Sequence, residues 1–338
     1  MFELIVRRCV SAVPLVFLVS VFAFILIKAV PGDPVDVLLG TSEKDLPPVQ
    51  VAALRHEIGL DQPLPKQYWS WLSGWWGAGE LGRSYRDGRP VLEVIGERCP
   101  ATIALVGSAL VVASVLGICL GLLMAATSSG IGVVSRTLVV FSIFLYSTPG
   151  FWLAFLVIFA VGRWLPWIPV IGLHSPGQPV TLGGALAHLI LPALLLATRR
   201  AAKIALFLRA LVMDEMTRDY VLVARSKGLS DTVVLVKHVL KNSLMPVVAL
   251  LGLSLPALLG GSVLIETVFG WPGMGRLAVE ATFGRNYPLL LSLVVVYGVM
   301  VVAANLLADI LYRLVDPRLR DSVDDPMLTG TRAVSRAV

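Results

Sequence analysis

The chain has 338 residues, 57% of them hydrophobic and 15% charged, with a mean hydropathy of +0.83, values far outside those of soluble globular domains. The net charge of +6 does not argue for a nucleic-acid partner, because the basic residues flank apolar runs instead of forming a basic face on a soluble domain. Cys9, Cys99 and Cys119 are far apart, and His56, His174, His188 and His238 form no HExxH, so neither a disulfide framework nor a metal site is expected.

A hydrocarbon core of about 30 Å requires about 20 apolar residues per helix. Six stretches meet this requirement, at 9–30, 101–127, 137–162, 182–198, 242–265 and 287–308, which predicts an all-α polytopic membrane protein with six transmembrane helices. The first follows Arg7 and Arg8, is longer than a signal-peptide core and lacks a small-x-small cleavage site, so residues 1–30 read as an uncleaved first span. Residues 31–100 are mixed in charge, with Asp33, Asp36, Asp45, Asp61 and Asp87 among their acids, and form a long external segment. Within it Tyr68, Trp69, Trp71, Trp75 and Trp76 suit a membrane interface.

Residues 101–320 contain the other five spans. The sequence T-S-S-G-I-G at 127–132 splits the second span from the third. The fourth stretch is short and carries His188 and Pro192, and its helix is able to continue past Arg199. The segment at about 213–241 is basic and cytoplasmic, since its lysines and arginines place it on the same side as Arg7, Arg8 and the tail. Both termini are then cytoplasmic. Residues 321–338 are polar without apolar periodicity and are expected to be disordered.

In the basic segment Met213, Met216, Tyr220 and Val223 or Ala224 recur at helical spacing, predicting an amphipathic helix that ends at Gly228. Ser230 is placed to cap a second short helix running toward Leu240. By composition, such a helix suits an anionic lipid surface as well as a protein groove.

Asp219-Tyr220-Val221-Leu222-Val223-Ala224-Arg225-Ser226-Lys227-Gly228 resembles the EAA loop of ABC importer permeases, in the D-Y-x-x-x-A-R-x-K-G variant of the oligopeptide, dipeptide and nickel permeases. Leu222 and Val223 replace the generic Glu and first Ala, and His238 to Lys241 stands where many importers have I-x-L-P; both departures characterise this subgroup. Further segments are similar to the same family, in order along the chain. They are Pro31-Gly32-Asp33-Pro34, Gly59-Leu60-Asp61-Gln62-Pro63-Leu64, Pro149-Gly150-Phe151-Trp152-Leu153, Glu266-Thr267-Val268-Phe269-Gly270-Trp271-Pro272-Gly273-Met274-Gly275 and Asp316-Pro317-Arg318.

The resemblance implies an ABC importer permease fold in a prokaryotic inner membrane. It also implies a second homologous permease subunit, two ATPase subunits and an external substrate-binding protein as partners, besides membrane lipid. Asp219, Tyr220, Ala224, Arg225, Lys227 and Gly228 would belong to a coupling helix seated on the ATPase. Peptides, nickel chelates, opines and glutathione are all carried by similar permeases.

No GxxxxGK[ST] occurs, so the chain is expected to be no enzyme and to bind no cofactor, with ATP and Mg held by the partner ATPases. The run from Trp271 and Pro272 through Gly273 and Gly275 to Arg276 reads as a rigid external turn, a candidate contribution to binding-protein docking. A secondary transporter or channel is the competing function. It would need intramembrane ionisable groups or a filter, whereas Lys28, Glu266 and Asp309 sit at span ends and only His188 lies within a span.

Overall fold

The computed structural model describes residues 2–29, 47–57, 59–77, 82–128, 132–175 and 181–315, together with Val35, Gly177 and Pro179. The tail at 321–338, Asp316-Pro317-Arg318 and Pro31-Gly32-Asp33-Pro34 lie outside the described residues. Among the described residues the chain is helical, and the β-structure is one bridge between Arg83 and Pro90.

In chain order the helices are α1 (Phe2–Ala29), α2 (Pro48–Glu57), α3 (Leu64–Gly77), α4 (Val91–Ala126), α5 (Val133–Ser147), α6 (Gly150–Trp164) and α7 (Leu182–Glu215). They continue with α8 (Asp219–Ser226), α9 (Asp231–Gly252), α10 (Ser254–Val268), α11 (Met274–Phe283) and α12 (Tyr287–Val315). Among the described residues, five helices are long and apolar enough to cross a membrane, or six if the bent pair α5 and α6 is one span.

The centre of the bundle is the α4–α7 pair. Ala109, Ala113, Gly117 and Gly121 recur every four residues and are buried on one face of α4, opposite Ala193, Ala197, Ala201 and Ala205 on α7. A Cβ on Gly117 would lie 2.7 Å from Ile204 Cβ, and one on Gly121 would lie 2.9 Å from the Ala205 carbonyl oxygen. Between helices in lipid, where burial of apolar surface gives no drive, this close backbone approach supplies the dispersion that holds the pair.

The contacts run in the same direction along both helices, from Gly117 at Ile204 to Ser128 Oγ at Met213 Sδ (3.3 Å), so α4 and α7 are parallel. Helices α1 and α12 are antiparallel. Arg8 pairs with Asp309 at 2.8 Å at one end, and Lys28 stands 5.5 Å from the Tyr287 ring centroid at the other. Val91, Val94 and Ile95 of α4 share a cluster with Leu289 and Leu293 of α12, so the N-terminal ends of these two helices are together. One end of the bundle therefore gathers the start of α1, the ends of α4, α7 and α12, and α8; the opposite end carries α11.

Several expectations are corrected by this architecture. The third apolar stretch, 137–162, is a pair of helices bent by 106°. Pro149 has no N–H and disfavours helical backbone at Thr148, which is extended at φ −75 and ψ 132. The helix expected to stop near Leu240 instead runs from Asp231 to Gly252 through a π-helical stretch at Val234–Val239. The break falls at Leu253, because Pro256 cannot donate to the Gly252 carbonyl and its ring crowds that group.

The fourth stretch continues past Arg199 to Glu215. In the aromatic cluster, Tyr68 packs edge-on against Phe17 and Phe24 of α1 and bonds Ser20 at 2.7 Å, while Trp69 is exposed. The side chains of Trp75 and Trp76 lie outside those described.

Candidate functional site

The two groups of residues singled out in the sequence occupy opposite ends of the bundle, and the fold does not bring them together. The first lies on α8. The amphipathic helix expected to run unbroken from Met213 to Gly228 is instead divided. Helix α7 stops at Glu215, and Arg218 is extended at φ −74 and ψ 149 before α8 begins. Thr217 Oγ1 bonds the Asp214 carbonyl at 2.7 Å and Arg218 pairs with Asp214 at 3.0 Å, so local side-chain bonds compete with continued helix at this corner.

The buried face of α8 matches the expected one only at Ala224. Val221 and Ala224 are buried, whereas Tyr220, Leu222 and Val223 are exposed, Leu222 at 58%. An eight-residue helix that buries only two side chains offers an apolar face to something outside the chain.

Gly228 ends α8 as a Schellman motif. The Gly228 N–H donates to the Arg225 carbonyl at 2.9 Å, the Leu229 N–H donates to the Ala224 carbonyl at 3.4 Å, and Gly228 has φ +79. Arg225 Nε then reaches Asp231 Oδ1 of α9 at 2.9 Å, and Ser230 holds the N-cap position of α9 without a side-chain bond. The Tyr220 hydroxyl donates to Glu215 and lies 3.4 Å from Asn242 Nδ2. Burial, followed by the bond to Glu215, pushes its phenol pKa up. Lys227 is exposed, and Asp219 opens the helix where a carboxylate favours the dipole.

The second group follows α10. Gly270 closes that helix as another Schellman motif, with φ +61, its N–H on the Thr267 carbonyl and the Trp271 N–H on the Glu266 carbonyl. Trp271 is 2% exposed and its indole N–H donates to the Ala101 carbonyl at 2.9 Å. Gly273 and Gly275 are buried as well. As a docking outline the turn is thus narrower than expected: the partly exposed members are Pro272 and Arg276, because the turn packs inward on α4.

Glu266, read as a span-end residue, lies in the last turn of α10 and is fully buried. Thr102 and Asn286 were missed. Asn286 Nδ2 bonds Ser84 at 2.8 Å, and its Oδ1 accepts from the Tyr85 N–H at 3.1 Å. Their signal would have been isolated polar residues next to apolar runs. His188 is buried and bonds Ser175 at 3.3 Å, and no group of three potential metal ligands occurs among the described residues.

A helical bundle of five to six candidate spans, with a capped short helix at one end and an inward-packed Pro/Gly turn at the other, defines a membrane-embedded helical subunit. The chain belongs to the family of binding-protein-dependent transport system inner membrane components. The model of that description matches residues 117–321, and the model of the family's N-terminal part matches residues 1–106.

Among similar proteins are the oligopeptide transport system permease protein AppB of Bacillus subtilis, 34% identical with 93% of this chain and 98% of the relative covered, and the glutathione transport system permease protein GsiC of Escherichia coli K12, 35% identical with 95% and 99% covered. An inward-facing structure of the MetNI methionine ABC transporter shares the fold over 67% of this chain and 97% of that chain, with a TM-score of 0.55 at 18% identity. The chain is a permease subunit of a binding-protein-dependent transport system.

Proposed function

We propose that this subunit forms, with a second homologous permease, the pathway of an ATP-driven importer of peptides or a related small solute. In this reading two ATPase subunits seat against α8 and a binding protein delivers substrate at the α11 end. The observation that carries the reading is the exposed apolar face of α8, made of Tyr220, Leu222 and Val223 and held at fixed angles by the Arg218 corner and the Gly228 cap. Movement of an ATPase against that face would be transmitted directly into α7 and α9.

The α8 end is cytoplasmic in this reading, since it carries Arg209, Arg218, Arg225, Lys227, Lys237 and Lys241, with both termini on that side and six spans. The residues 31–100, Asp61, Pro272 and Arg276 then face outward. Cysteine labelling of intact cells is expected to modify a cysteine at Asp61 and to leave one at Ser230 unmodified; external labelling at Ser230 would reverse the orientation.

Irregular backbone is tolerated at membrane depth only against protein or water, so the exposed break at Ser147 and Pro149 belongs on the pathway or on the second permease. In proteoliposomes containing all subunits, peptide import is expected to require ATP and binding protein, and the isolated chain is expected to hydrolyse no ATP. Import by this chain without ATPase partners would instead establish the secondary-transporter reading.

A further inference from the structure

Helix α11 begins at the turn after α10, and its first three N–H groups have no carbonyl partners within the helix. All three are satisfied by two buried side chains from elsewhere. The Met274 N–H donates to Thr102 Oγ1 at 2.8 Å, and those of Gly275 and Arg276 donate to Glu266 Oε2 at 2.7 and 3.2 Å. Thr102 in turn donates to Glu266 Oε1 at 2.9 Å. Thr102 and Glu266 are both fully buried.

The four bonds tie three pairs of elements: α4 to α10, α4 to α11, and, twice, α10 to α11. The Arg276 guanidinium is turned away, to the Gly270 carbonyl at 2.6 Å and Glu280 at 2.8 Å. Glu266 is therefore held by hydrogen-bond donors and a helix N-terminus, and not by a cation.

The glycines of the turn are explained by the same contact. A Cβ on Gly273 would lie 2.3 Å from Glu266 Oε2 and 2.6 Å from Thr102 Oγ1, and one on Gly275 would lie 2.6 Å from Val263 Cα. Only bare backbone lets these N–H groups reach the carboxylate.

We propose that Glu266 and Thr102 form a buried latch that locks α11 and the Trp271–Gly275 turn to α4 and α10, so that events at the α11 end reach the spanning helices as rigid-body motion. The two are positioning residues that touch no substrate. The proposal rests on the permease reading only for its consequence; the latch itself is a property of the isolated chain.

The test compares Thr102→Ser, which keeps the hydroxyl, with Thr102→Val, which keeps the shape and removes it, and with Glu266→Gln. Spin labels at Leu92 of α4 and Phe283 of α11, both exposed, report the α4–α11 distance in the purified chain with its three cysteines replaced by alanine. The assembled transporter reports substrate moved per ATP hydrolysed.

Thr102→Ser is expected to match the wild type in both measurements. Thr102→Val and Glu266→Gln are expected to broaden the distance distribution and to lower transport per ATP roughly tenfold, the scale set by losing one or two buried hydrogen bonds. A narrow wild-type distribution in Thr102→Val, or equal behaviour of the serine and valine variants, overturns the latch. Broadening with unchanged transport per ATP overturns its role in coupling. If Glu266→Gln fails to assemble, the Thr102 pair alone decides.

Discussion

Gly117→Ala is expected to destabilise the chain, whereas Gly107→Ala on the same helix is expected not to. The added methyl at 117 meets Ile204 Cβ at 2.7 Å and the Ala201 carbonyl oxygen at 2.9 Å, while a Cβ at 107 meets nothing within 4 Å. The clash is with a β-branched stem and a backbone atom, neither of which can rotate away, so α4 and α7 must separate. Overpacking of this kind costs about 1–3 kcal/mol, and Gly117→Val costs more. Thermal unfolding of the purified chain in detergent is the measurement. Equal stability of the 107 and 117 alanine variants would show that the pair does not depend on this approach.

On the proposed seating of an ATPase against α8, Gly228→Val is expected to uncouple ATP hydrolysis from transport while leaving the spans inserted. No atom lies within 4 Å of a Cβ built at Gly228, so the whole penalty comes from φ +79 and none from crowding. A left-handed residue with a Cβ costs about 1–2 kcal/mol, and a β-branched one is worse placed still. The turn is expected to relax and α8 to lose its angle to α9, reducing transport per ATP roughly tenfold, since about 1.4 kcal/mol corresponds to one order of magnitude. Gly228→Asn, with a side chain that tolerates this region, is expected to retain most activity. Arg225 and Lys227 substitutions are expected to have smaller effects, because exposed charges contribute little individually. Equal transport by the valine and asparagine variants would remove the turn from the mechanism.

The left-handed glycine at 228 was legible because local backbone sterics and the helix-ending pattern leave few alternatives there. The buried face of α8 was not. Periodicity pointed to Tyr220 and to Val223 or Ala224, but an eight-residue segment with apolar residues at 221, 222, 223 and 224 has no unique amphipathic solution until α9 packs against it. The division of α7 from α8 was equally hidden, since nothing in the hydrophobic spacing from Met213 onward marks the Arg218 corner.

Sequence by itself determined what depends on neighbours along the chain: the apolar lengths that demand lipid, the glycine cap at 228, and membership of the permease family. Tertiary structure alone decided what depends on residues distant in sequence. Thr102 and Glu266 are 164 positions apart, and Ser84 and Asn286 are 202 apart. The small residues of α4 and α7 were visible as glycines and alanines every four positions, yet their meaning lies in which helix faces which. A hydrogen bond or a close backbone approach is short-ranged and directional, so it exists only once packing has placed both partners, and a one-dimensional pattern carries no record of that distance.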